Sequence, residues 1–141
     1  MNPVVFAILA AFAFGAWTVF HKLASPHINQ VFGAILVSLT AVIVGSLWLL
    51  PQIKNTQLVT NSKGVIFLVL AGVCAFLIDF FALQAYSKGL PITIGGPIII
   101  GGSIAVASII GFVFGDSITL AKLLGLGFLI GGTIILSVYA N

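Results

Sequence analysis

The sequence predicts an all-α membrane protein, a bundle of five transmembrane helices. Three observations carry that prediction. The 141 residues are 61% hydrophobic and only 5% charged, whereas a soluble domain carries about 25% charged residues. The mean hydropathy is +1.33. Five apolar runs, each near the roughly 20 residues that cross a bilayer as a helix, are separated by short polar punctuation.

The first run covers about 3–20. No positive charge precedes its core and Lys22 follows it, so it reads as a retained span and not as a signal peptide. It gives way to HKLASPHINQ, where Pro26 stops the helix and Asn29 is placed to cap the next. The second run, about 31–50, closes at Pro51. The segment PQIKNTQLVTNSK that follows is polar enough to lie in water. The third run, about 64–86, ends at Ser87-Lys88-Gly89, with Gly89 as the expected C-terminal cap. The fourth, about 91–114, opens on Pro91, a favoured first helical position. The fifth, about 120–139, follows a turn over 115–119. The other connections are short enough to demand antiparallel neighbours. The chain, 1–141, therefore reads as one integral-membrane domain.

Charge is sparse. The net +3 comes from five lysines against Asp79 and Asp116. The lysines stand singly near span ends, where they reach lipid headgroups; they form no nucleic-acid footprint. With the N-terminus on one side, Lys54, Lys63 and Lys122 fall on that side and Lys22 and Lys88 on the other. This leans towards a cytoplasmic N-terminus, and so even a division also suits a chain that inserts both ways round. Cys74, the single cysteine, allows no intrachain disulfide. His21 and His27 flank the first turn without metal-ligand spacing and read as interfacial. No metal or cofactor is expected. Trp17 and Trp48 lie near span ends and fit an aromatic belt, although Trp17 also suits a cavity wall.

The densest chemistry falls between Phe76 and Ser103. Asp79 is the one acid inside an apolar run, and a charge at that depth costs about 2.5 kcal/mol or more. Three readings stand: a proton or cation site, an anchor for a substrate's amine, or a structural acid bonded to backbone or to another span. Apolar burial favours a protonated carboxyl, which suits proton coupling. Gln84 is a second polar group in the same run; five positions on, it does not share a tight face with Asp79. Phe76 and Phe80 offer aromatic surface near the acid, either to stack on an organic solute or to face lipid. Pro97, with Gly95 and Gly96 before it and Gly101 and Gly102 after, predicts a kinked or locally unwound fourth helix. That break reads as a gate or as a packing kink. Gly111 and Gly115 on the fourth span, and Gly127 and Gly131 on the fifth, have the spacing of helix-packing positions, within the bundle or at a dimer seam. Asp116 is expected to cap the fifth helix or to pair with Lys122.

The run from Ala82 to Leu136 resembles the second part of an EamA-type repeat of the drug/metabolite transporter superfamily. Pro97 stands where that repeat has its proline-bearing helix. Gly115, Asp116 and Thr119 resemble its Gly-Glu-x-x-Thr turn, with aspartate in place of the usual glutamate, and Gly125, Gly127, Gly131 and Gly132 fall in its glycine-rich last helix. Gly15-Ala16-Trp17 and Lys22 are similar to the start of such a repeat. Asp79 maps onto no motif of the family. The resemblance implies a single repeat of five spans, where full members have two repeats of opposite orientation. It also implies transport of a small organic metabolite or drug-like solute across the cytoplasmic membrane. Alternating access needs two halves around a midplane site, so an antiparallel homodimer, or an oppositely oriented homologous half, is the expected partner besides lipid and solute. The alternatives are a component that flips a lipid carrier and a non-transporting subunit of a larger complex. An enzyme is not expected, since no serine–histidine pair and no second intramembrane acid accompany Asp79.

Overall fold

Helix boundaries follow from side chains within one turn of each end. The computed structural model describes residues 3–53, 58–59 and 61–138. Lys54, used above for orientation, and Tyr139, the expected end of the last span, lie outside the described residues. Five α-helices form: α1 Pro3–Ala24, α2 Gln30–Leu49, α3 Ser62–Ser87, α4 Ile92–Val113 and α5 Leu120–Val138. All five are long and apolar enough to cross a membrane. No strand occurs among the described residues.

Asn29 caps α2 as expected, its side chain accepting from the amides of Val31 and Phe32 at 3.0 and 3.2 Å. A short 3-10 turn, Leu50–Gln52, extends α2 through Pro51. Gly89 has φ +98°. Its amide reaches the Tyr86 carbonyl while the Leu90 amide reaches Ala85, the pair of bonds that closes a helix on a left-handed glycine. Gly115, φ +99°, ends α4 in the same way, through Gly115 to Phe112 and Asp116 to Gly111.

The α5 start corrects one expectation. The Thr119 hydroxyl, not Asp116, caps it by accepting from the Lys122 amide at 3.3 Å. The Lys122 ammonium is taken by the carbonyl and hydroxyl of Ser117, at 2.8 and 3.0 Å. No Asp116–Lys122 ion pair forms among the described residues, because Asp116 turns back over Gly111.

Pro97 brings a second correction. α4 is helical without interruption from Ile92 to Val113, so the chain does not unwind there. The glycines around Pro97 serve close packing instead. A Cβ on Gly95 would stand 2.5 Å from the Tyr86 ring, and one on Gly96 would meet the Thr18 methyl at 3.6 Å. Gly101 receives Thr133 of α5, whose hydroxyl bonds the Leu129 carbonyl at 2.8 Å and also approaches that of Pro97 at 3.5 Å. α4 thereby sits against α1, α3 and α5 at once.

The packing order is uneven. α3 touches α1, α2 and α4, whereas among the described residues α5 touches only α4. α1 and α2 are consecutive but do not approach each other among the described residues. Gly127 and Gly131, expected at a helix contact, have nothing within 4 Å of where a Cβ would stand. Gly111 meets only its own turn, and Gly115 serves as a cap.

Candidate functional site

The splay between α1 and α2 leaves a cleft whose floor is α3. α3 presents Gly72, Ala75, Asp79 and Leu83 to it, with α1 supplying Phe14, Trp17 and His21 and α2 supplying Gly33, Val37 and Ala41. Small side chains at Gly72, Ala75 and Ala41 keep it wide. Trp17 divides it into a pocket of about 370 Å³ beside His21 and one of about 450 Å³ beside Asp79. Apart from Ser38, the polar side chains in these walls are those of Trp17, His21 and Asp79.

Those three meet. Phe14, Trp17 and His21 fall on one face of α1 at the spacing that lines up helix neighbours. The Phe14 and Trp17 rings stack with centroids 5.0 Å apart, and Trp17 and His21 stand 3.9 Å apart. The Trp17 indole N–H donates to Asp79 Oδ1 at 3.0 Å. His21 Nε2 lies 3.1 Å from the same oxygen. That contact is close but off line, so Nε2 has no aligned hydrogen-bond partner among the described residues. His21 Nδ1 is 3.0 Å from the Trp17 carbonyl. A carbonyl only accepts, so Nδ1 carries the hydrogen. Both contacts to Asp79 engage Oδ1. Oδ2 has no hydrogen-bond partner among the described residues.

The cluster is buried. His21 is 4% exposed, Asp79 6% and Thr18 3%. Asp79 sits past the middle of α3 towards Ser87, about 7 Å from the midpoint at 1.5 Å per residue. Lys22 is near but occupied: its ammonium donates to the Tyr86 carbonyl at 3.3 Å and lies 5.9 Å from the Tyr86 ring. That carbonyl is in the last turn of α3, where a cation is favoured.

Of the expected site residues, the fold brings Asp79 and Trp17 together. Gln84 is half-buried and its side chain bonds neither of them. Phe76 and Phe80 are half-buried, and Phe80 packs edge-on against Phe81 at 5.1 Å, outside the cleft walls. Trp48, 76% exposed, faces outward. His21 was read as interfacial and is instead inside the cluster. The missed signal was its spacing: four residues after Trp17, it lies on the same helical face. Among the described residues no three His, Cys, Asp or Glu side chains converge as metal ligands.

An unbroken apolar five-helix unit with an acid on the floor of a cleft suits a membrane carrier. The model of the EamA-like transporter family matches residues 1–138. The chain belongs to that family. Comparison with curated proteins and with solved structures gave no match. This EamA-like chain is a multi-pass membrane protein of the drug/metabolite transporter superfamily.

Proposed function

We propose that this EamA-like protein is a half-size secondary transporter in the cytoplasmic membrane, working as an antiparallel homodimer and moving a small organic solute. The observation that carries the reading is Asp79, buried on the floor of the α1–α2 cleft with one oxygen held by Trp17 and the other unengaged. A buried, incompletely bonded acid is costly to keep in an apolar span, and here it lines a space large enough for a solute. The apolar walls and the Phe14–Trp17 stack favour a cargo with an aromatic or aliphatic body and one polar group. The family supports transport as the activity.

The test is flux in proteoliposomes loaded with a pH indicator and challenged with a panel of small amines, organic acids and sugars. At least one class is expected to give a flux that falls at least about tenfold in Asp79→Asn, equal to about 1.4 kcal/mol, while the variant keeps its native elution volume. No flux for any class would turn the reading towards a non-transporting subunit. A flux unchanged in Asp79→Asn would remove the acid from the mechanism. A component that flips a lipid carrier is the second reading, supported by the separation of α1 from α2 and the apolar walls between them. Movement of a fluorescent lipid-linked sugar in the same vesicles, without solute flux, would favour it.

A further inference from the structure

Asp79 enters the transporter reading as an acid, whereas His21 has no part in it so far. Its tautomer gives it one. The Nδ1 hydrogen is committed to the Trp17 carbonyl at 3.0 Å, which leaves Nε2 as the nitrogen that gains or loses a proton. Nε2 lies 3.1 Å from Asp79 Oδ1, close but off the hydrogen-bond line. With no proton between them, a bare ring nitrogen would lie against a carboxylate oxygen in a buried place, an uncompensated repulsion. With one proton the pair is neutral overall, whether written as imidazolium and carboxylate or as imidazole and carboxylic acid. A second proton would leave one net positive charge buried.

Nothing around the pair would offset that charge. α2 and α4 contain no titratable side chain at all. From α1, Trp17 is neutral and Lys22 is positive and held at the Tyr86 carbonyl. Besides Lys63 near its start, α3 itself carries Cys74, exposed, and Tyr86, buried with its hydroxyl unpartnered among the described residues. One proton is therefore the occupancy that the surroundings stabilise.

We propose that His21 and Asp79 act as a single proton-holding dyad, one proton shared between Nε2 and Oδ1, and that this is the coupling proton of the transporter. Trp17 is its positioning residue: the indole fixes Oδ1 by a hydrogen bond, the ring packs against the imidazole at a tilt of 38°, and the carbonyl sets the tautomer. The coupling role rests on the transporter reading; the shared proton rests on the geometry alone.

Nitrogen NMR of the full chain in lipid nanodiscs tests the dyad without any cargo, so its outcome is independent of the flux panel. Histidine and tryptophan are ¹⁵N-labelled in a His27→Asn, Trp48→Phe background, which leaves His21 and Trp17 as the reporters. The expected result is a protonated Nδ1 throughout and one common midpoint for the His21 ring and the Trp17 indole. Asp79→Asn should displace the His21 midpoint by about one pH unit or more, the threshold at which two sites titrate as a pair. His21→Gln should displace the Trp17 midpoint in turn, which reads the coupling from the other side if Asp79→Asn does not fold. A hydrogen on Nε2 with Nδ1 bare, or two midpoints each indifferent to the other residue's replacement, would overturn the proposal.

Discussion

At the scale of single residues, the cluster depends on one hydrogen bond between positions 17 and 79. Trp17 to Phe keeps an aromatic ring between Phe14 and His21 but removes the indole donor from Asp79 Oδ1. A hydrogen bond to a charged or partly charged buried group contributes about 1.5–3 kcal/mol, so Trp17→Phe should lower thermal stability in detergent by that order. A double-mutant cycle with Asp79→Asn should show a coupling of about 1 kcal/mol, within the range for residues in direct contact. Strict additivity of the two substitutions would mean that the bond contributes nothing. The acid could be picked out of the sequence because a charge in an apolar run is conspicuous by itself. Its partners were less plain: Trp17 suited a cavity wall as well as an interfacial belt, and the four-residue step from Trp17 to His21 puts both on one helical face without saying what that face meets.

At the scale of elements, α4 is the keystone, and its glycines are its contact surface. Gly95 and Gly102 have opposite surroundings. An added methyl at Gly95 would stand 2.5 Å from the fully buried Tyr86 ring and 2.9 Å from Leu90, whereas nothing lies within 4 Å at Gly102. Overpacking of this kind costs about 1–3 kcal/mol, so Gly95→Ala should lower the unfolding midpoint in detergent. Gly102→Ala should leave it unchanged or raise it, since alanine is the better helix former by about 1 kcal/mol. Equal effects at the two positions would show that α4 is not seated on Tyr86 as described. Pro97 stays inside a continuous helix. Of the expected kink or local unwinding, the unwinding does not occur; α5 packs against this stretch through Thr133 and Gly101.

At the scale of the whole molecule, the five helices leave much of their surface uncovered by one another. It exposes 10397 Å², against about 6,900 Å² for a compact soluble protein of 14.7 kDa. Lipid covers part of such a surface. The open small-residue faces at Gly15 on α1 and at Gly127 and Gly131 on α5 are the kind that let helices of a second copy approach closely. The antiparallel homodimer requires single chains to insert both ways round. A reporter active only in the cytoplasm and another active only outside, each fused to the C-terminus, should therefore both give signal. Signal from one alone would exclude dual insertion and assign the second half to another protein. Lys22 and Lys88 on one side nearly balance Lys54, Lys63 and Lys122 on the other, so one added lysine in the α4–α5 turn, on the side that already has three, should bias the population.

Five helices and most of their ends are legible along the chain. Hydropathy is a property of a run, and a cap is a matter of neighbours within one turn, as Asn29 and Gly89 show; Gly115, expected at a helix contact, is a cap as well. The sequence also exposed Asp79, because the cost of a charge in lipid does not depend on what packs against it. Only the tertiary structure decided which face of α1 meets α3, and with it the union of Trp17 and His21 with Asp79 across 62 positions of chain in the indole bond. It likewise showed what the Gly95, Gly96 and Gly101 positions receive: Tyr86, Thr18 and Thr133. Both outcomes depend on how helices distant in sequence pack side by side, and no pattern within one helix carries that information.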